Sequence, residues 1–153
     1  MNYPKSTAEI AGHPLHPMVI PFPIAFLVGT LATDIAFAGT GDAFWARAAF
    51  WLLAAAIVMA ALAAIAGFTD FLSERRIRQL SAAWYHMVGN LLAVVLAIVN
   101  LWLRYREGAV TGSRDGLILS VVVVLLLLFN GWKGWELVYR HHVGVSGDLQ
   151  PGE

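Results

Sequence analysis

Residues 116–138 read GLILSVVVVLLLLFNGWKGWELV, and this stretch decides the class of the fold. Residues 121–129 within it form an unbroken apolar run that could not face water. A helix needs about 20 mostly apolar residues to cross a bilayer with all its backbone hydrogen bonds closed inside the segment. Four stretches of the chain meet this requirement. The predicted spans are residues 18–38, 44–68, 84–103 and 116–138.

The composition and the short links between spans agree with a small membrane bundle. Hydrophobic residues make up 59% of the 153 residues and charged residues 13%, whereas a soluble domain carries roughly a quarter charged residues. Short links make neighbouring helices antiparallel, so we predict an all-α fold, an integral-membrane up-down four-helix bundle. It divides into a Pro-rich N-terminal entry segment (1–17), a four-transmembrane-helix domain (18–145) and a disordered tail (146–153).

Charge and cysteine content narrow the classes of function. The chain has no cysteine, which removes disulfides, thiolate ligation of haem and cysteine-ligated iron–sulfur clusters. Its net charge is zero and it has no basic patch, so we expect no nucleic-acid partner. An even number of spans places both termini on the same side of the membrane. Six of the ten Lys and Arg residues fall on that side, which favours a cytoplasmic location for it.

All five histidines fall near one end of the predicted bundle, which we call the histidine end. His16 and His141 lie just beyond the first and fourth spans, and His86 lies inside the third. His13 and His16 each precede a proline, which favours polyproline II, and residues three apart in that helix share a face. We therefore expect His13 and His16 to point the same way. Asp70 follows the second span at a similar depth.

The third span carries a stripe of small and polar residues at helical spacing. The stripe consists of His86, Asn90, Ala93, Ala97 and Asn100. In a membrane bundle such a stripe faces the interior, so we predict that His86 points inward. At the opposite end, Asp34 in the first span lies at a depth similar to that of Asn100, and we expect a hydrogen bond between them. Residues 104–115 are predicted to link the last two spans.

Imidazoles from several segments at one depth indicate a single metal or haem site. Bis-imidazole haem needs two histidines from different elements, and His16 with His86 is the first choice, with His13 and His141 as further candidates. A bare transition metal ion (Zn, Fe or Cu) would instead use three or more of these histidines, with Asp70 as a further ligand. Expected neighbours that orient the ligands are Asn90, Glu136 and Arg140. No motif assigns a catalytic residue, and whether the protein is an enzyme stays open.

Two end motifs and two internal features carry a family resemblance. They are HPLHPMVIPFPIAF (13–26), GFTDFL (67–72), His86 at the opening of the third span, and GWKGWELVYRHHVGV (131–145). Over nearly its whole length the chain resembles the bacterial predicted membrane proteins of domain of unknown function 2231. That family occurs alone or joined to modules such as Rieske-type iron–sulfur domains, and its fold is thought to be akin to four-helix b-type cytochromes. The motif positions that the resemblance implies are His13, His16, Asp70, His86, Glu136 and His141.

By this resemblance the chain is expected to be a haem b electron-transfer protein of a bacterial inner (plasma) membrane. Dihaem cytochromes use histidine pairs near both membrane faces, but half of this bundle has no histidine. We therefore expect one haem near one face, with the lipid bilayer and a quinone or redox partner domain as partners. The alternatives are a membrane metal-binding protein or metalloenzyme with a His/Asp cluster, and a non-catalytic membrane scaffold subunit. Small residues on the second span also allow a homo-oligomer.

Overall fold

The computed structural model describes residues 3–108 and 114–145. Within these residues four helices are long and apolar enough to cross a membrane, which confirms the predicted all-α membrane bundle. The helices are α1 (Leu15–Val19), α2 (Pro21–Thr40), α3 (Ala43–Ser73), α4 (Arg75–Arg78), α5 (Ser81–Glu107) and α6 (Arg114–Trp135), and a π-helical turn (Glu136–Arg140) follows α6. Two short strands, β1 (Glu9–Ile10) and β2 (His13–Pro14), precede them. The predicted disordered tail, residues 146–153, lies outside the described residues.

The link between α2 and α3 shows why these two helices run antiparallel. Gly41 adopts a left-handed conformation (φ 69°), and its N–H donates to the Phe37 carbonyl at 2.8 Å, which ends α2. The side chain of Asp42 then accepts a hydrogen bond from the Phe44 N–H at 2.8 Å and caps the first turn of α3. Because one residue ends α2 and the next caps α3, two residues are enough to reverse the direction of the chain.

Small side chains line the interior of the bundle. Ala49 and Ala56 on α3 are fully buried, and Ala93 and Ala97 on α5 are nearly so. These alanines let the helix backbones approach closely, which is how helices associate in a membrane, where apolar side chains gain little from leaving lipid. The inward stripe predicted on α5 is confirmed at Ala93, Ala97 and Asn100. Large apolar side chains such as Trp51 and Leu125 face outward, where lipid would surround them.

A buried polar network joins three helices at the end opposite the histidines. Arg104 on α5 makes a two-point ion pair with Asp34 on α2, with Nη1–Oδ1 2.8 Å and Nη2–Oδ2 2.7 Å. The hydroxyl of Ser120 on α6 donates to Asp34 Oδ2 at 2.7 Å, and Arg104 Nε donates to Asn100 Oδ1 at 2.8 Å. The predicted hydrogen bond between Asp34 and Asn100 is therefore wrong, because Arg104 stands between them. The predicted link at 104–115 was also wrong in placing Arg104, since α5 continues to Glu107.

Candidate functional site

An N-terminal strap, residues 3–14, lies across the histidine end. Asp70 near the end of α3 holds it, because its carboxylate accepts hydrogen bonds from the Ser6 hydroxyl (2.9 and 3.0 Å) and from the N–H groups of Thr7 (2.6 Å) and Ala8 (2.8 Å). The other edge of the strap meets the chain after α6, where the Gly144 N–H donates to the Pro4 carbonyl at 2.9 Å. The strap thus joins two elements that are distant in sequence.

The strap contains a tight hairpin that separates His13 from His16. Ala11 and Gly12 both have positive φ (51° and 78°) and connect the antiparallel strands β1 and β2, as a two-residue turn between twisted strands requires. His13 is exposed, and its Nδ1 bonds to the Ala11 carbonyl at 2.9 Å. His16 instead lies in α1, where Pro17 occupies the first turn and needs no N–H partner. The expectation of a shared polyproline II face is therefore wrong.

His16 and His86 form the centre of the candidate site. Their ring centres lie 6.1 Å apart, and the ring planes stand nearly perpendicular at 82°. His16 Nδ1 bonds to the main-chain carbonyl of Ala63 on α3 at 2.8 Å, and His86 Nδ1 bonds to the main-chain carbonyl of Asn130 on α6 at 2.9 Å. Each ring is therefore oriented through Nδ1. Neither Nε2 has a hydrogen-bond partner among the described residues.

Two glycines make room for these rings. A β-carbon built at Gly67 on α3 would lie 2.9 Å from His16 Nδ1, and one built at Gly134 on α6 would lie 3.1 Å from His86 Cε1. Real β-carbons essentially never come within 3.0 Å of another heavy atom, and contacts just above that distance are unusually tight. Both imidazoles therefore pack directly against helix backbone.

Two asparagines connect α5 and α6 beside His86. Asn90 Nδ2 donates to the His86 carbonyl at 2.8 Å, and Asn130 Nδ2 contacts Asn90 Oδ1 at 3.4 Å. Asn90 was predicted to orient a ligand, and it contacts the backbone of His86. Asn130 Oδ1 is buried with no hydrogen-bond donor among the described residues. It lies against Gly89, so closely that a side chain there would collide with it.

The π-helical turn collects the remaining predicted residues into a separate charged group. Glu136 is contacted by Lys133 Nζ at 2.9 Å, by Arg140 Nη1 at 3.5 Å and by His141 Nε2 at 4.0 Å. Most of the Arg140 side chain is exposed. The fifth histidine, His142, packs its ring against Tyr3 of the strap at 4.6 Å. Glu136 therefore contacts His141, whereas main-chain carbonyls orient the rings of His16 and His86.

The structure thus brings together two of the predicted ligands and keeps the others apart. Within residues 3–108 and 114–145, no three His, Asp or Glu side chains come close enough to hold one metal ion. His13 lies in the hairpin, His141 beside Glu136, and Asp70 under the strap. The assignment of ligands stays a prediction. Sequence reasoning missed Asn130 and Gly134, although GWKGW with a preceding asparagine offered a signal: a polar residue four positions before a glycine.

The family to which the chain belongs follows from its sequence over most of its length. Residues 12–147 match the family described as predicted membrane protein DUF2231. No curated protein and no solved structure matches the chain. The matched region includes the whole bundle, both histidines of the central pair and the turn after α6. The chain therefore belongs to the DUF2231 family of predicted membrane proteins.

Proposed function

We propose that the protein binds one haem b at the histidine end, where His16 and His86 would hold it, and transfers electrons at one membrane face. The observation that carries this proposal is the matched environment of the two imidazoles. Each donates Nδ1–H to a main-chain carbonyl, which leaves the electron pair of Nε2 available. Histidines that bind metals almost always use the second ring nitrogen in this way.

The separation of the rings supports ligation of one metal by both histidines. Because a metal–imidazole bond is about 2 Å long and the ring centre lies behind the bonded nitrogen, two imidazoles that share one metal have ring centres at most roughly 6 Å apart. The ring centres of His16 and His86 are 6.1 Å apart.

The number of nearby ligands favours haem over a bare ion. A structural zinc ion takes about four protein ligands, and the described residues offer no group of three. The porphyrin supplies its own nitrogens, so haem iron needs just two from the protein. When bound, haem supplies a one-electron couple. The chain's own residues would set the orientation of the ligands through the Ala63 and Asn130 carbonyls, and the strap would limit the access of water.

A bare transition metal ion is the second candidate, and the tight packing of the site favours it. His16 and His86 pack directly against Gly67 and Gly134, and a single ion needs less space between these rings than a macrocycle. Zinc, iron or copper would suit two imidazoles with water in the remaining positions.

The location of the site supports electron exchange at the histidine end of the bundle. The polar network of Asp34 and Arg104 occupies the opposite end of the bundle and contains no imidazole. A quinone or a redox partner domain would therefore approach from the side of the strap. The basic residues on that side, including Arg75 and Arg78, support a cytoplasmic location for it by the positive-inside rule, in a bacterial inner membrane.

Spectroscopy on the purified full-length protein, produced with ample haem, tests the proposal. We expect a Soret band and sharp α and β bands after reduction, lost in His16→Ala and in His86→Ala and kept in the matched control His13→Ala. A colourless protein with one metal ion per chain, lost in the same two variants, would show that the site binds a bare metal ion and not haem. A colourless protein without metal would overturn both and favour the scaffold subunit.

A further inference from the structure

We infer that Gly67 and Gly134 are positioning residues that fix both central histidines as the tautomer with the proton on Nδ1. The two sites are built alike. His16 bonds to the carbonyl of Ala63, four residues before Gly67, and His86 bonds to the carbonyl of Asn130, four residues before Gly134. The same spacing thus occurs on α3 and on α6.

Helix geometry explains why the glycine stands four residues after the carbonyl. In an α-helix the carbonyl of residue i points toward residue i+4. The Cα–Cβ bond of every residue tilts toward the helix N-terminus, so a β-carbon at i+4 stands beside that carbonyl. Glycine removes it and opens the second lone pair of the carbonyl oxygen to a donor from outside the helix. We call each such carbonyl with its glycine a notch.

The chemistry of the partner decides the tautomer. A main-chain carbonyl accepts hydrogen bonds and has no proton to give, so the nitrogen bonded to it must carry the hydrogen. At a pH where the imidazole is neutral, the hydrogen therefore resides on Nδ1 and the electron pair on Nε2. Both notches impose the same result, so His16 and His86 present two unprotonated Nε2 atoms without any metal present.

Alanine in either notch would disturb this arrangement. At Gly134 the new methyl would lie 3.1 Å from His86 Cε1 and 3.4 Å from Nδ1, and at Gly67 it would lie 2.9 Å from His16 Nδ1. The ring would have to move away from the carbonyl, and Nδ1 would lose the bond that selects it as the donor. Gly131 provides a matched control, since a β-carbon there meets nothing within 4 Å and it lies on the same helix as Gly134.

Nitrogen NMR of the full-length, cofactor-free protein in micelles tests the inference without relying on the proposed haem. With ¹⁵N-labelled histidine at pH 8, we expect His16 and His86 to show a protonated Nδ1 and an unprotonated Nε2. His13→Gln and His142→Gln would assist the assignment. A proton on Nε2, or a mixture of tautomers at either residue in the unaltered protein, would overturn the inference.

The variants test the role of the glycines, and this second step rests on the proposed function. Gly134→Ala should convert His86 to a mixture of tautomers and weaken the binding of haem or metal by roughly 10- to 100-fold, the usual effect of losing a partner that orients a ligand. Gly131→Ala should change binding less than about twofold by the same standard. Equal effects of the two alanines would overturn the positioning role. If both histidines show the expected tautomers but the protein binds neither haem nor metal, the proposed function is refuted, while the inference that the notches fix the tautomers is retained.

Discussion

Arg104 and Asp34 form a two-point ion pair in the half of the bundle that has no histidine. Both side chains are almost fully buried, at 3% and 6% exposure. A charged side chain inside a membrane is costly unless it is paired. Here Asn100 and Ser120 satisfy further donors and acceptors of the pair. Helices α2, α5 and α6 therefore meet around one neutral, hydrogen-bonded unit.

Removal of one partner from this pair should strongly destabilise the bundle. Asp34→Asn leaves the Arg104 guanidinium buried without a counter-charge, and breaking a buried pair in this way costs about 3–5 kcal/mol. We expect unfolding of the variant at much lower SDS fraction in mixed micelles. Arg106→Gln is the control, because Arg106 lies on the same helix and is exposed. A loss as small as that of the control would show that the pair contributes little.

Gly89→Ala should also destabilise the contact between α5 and α6. Its β-carbon would collide with the buried amide of Asn130, and forcing extra volume into a packed interior costs about 1–3 kcal/mol. A thermal melt in detergent, monitored by circular dichroism, measures the loss. Gly131→Ala should melt at the temperature of the unaltered protein or slightly above it, because the space around Gly131 is open and alanine is more stable than glycine inside a helix by roughly 0.5–1 kcal/mol. Equal melting temperatures for the two variants would contradict the close contact.

Asp70→Asn should release the strap while leaving the bundle folded. The N–H groups of Thr7 and Ala8 both donate to Oδ1 of Asp70, and asparagine would accept them without the negative charge that strengthens these bonds, while its NH2 group cannot accept from the Ser6 hydroxyl. Hydrogen bonds to a charged group contribute about 1.5–3 kcal/mol each, so exchange of the Thr7 and Ala8 amide protons should accelerate roughly tenfold or more.

Hydrogen exchange followed by mass spectrometry checks this, with Glu9→Gln in β1 as the control, because Glu9 is an exposed acid of the same strap. Unchanged protection of residues 6–8 in Asp70→Asn would mean that other contacts hold the strap.

Glu74 provides a prediction about pH. Hydrogen bonds from the Arg76 guanidinium, and then from its backbone N–H, lower the pKa of Glu74 from 4.5 to about 2. Since the pKa of Glu74 in the folded protein lies below its ordinary value, ionised Glu74 stabilises the fold fully above pH 4.5. This contribution is lost as the pH falls toward 2. Arg76→Gln should raise this pKa toward 4.5 in a carbon NMR titration. Arg75→Gln, which removes an exposed neighbour, should leave the titration unchanged.

The bundle itself could be predicted from the sequence because apolar length is a local property. Residues 116–138 exceed the span of a bilayer whatever their partners, and the small stripe on α5 identifies the inward face. The residues at which the helices begin and end could be predicted less well. In the sequence, Arg104 looks like a residue of a polar link. It lies inside the bundle because Asp34, on another helix, pairs with its charge.

The candidate site could be predicted in part. His86 was placed correctly, because its stripe is periodic within one helix. The shared face of His13 and His16 was predicted wrongly. The residue before a proline is usually extended, and His13 is extended in β2, but His16 lies in α1 although Pro17 follows it. Asn130 contacts His86 through its main-chain carbonyl, and Gly134 leaves space for the same ring, both from a neighbouring helix. The order of residues does not show which helices are neighbours.

The strap has a consequence for biosynthesis. The strap is synthesised before the bundle, since chains are made from the N-terminus, yet Pro4 bonds to Gly144 and the ring of Tyr3 packs on His142. These contacts do not form until residues 142–144 have been synthesised and α6 has entered the bilayer. Closure of the strap is therefore a late event in assembly. The bonds of the strap to Asp70 on α3 need no part of α6 and can form earlier, so the edge of the histidine end next to α6 is the last to be covered.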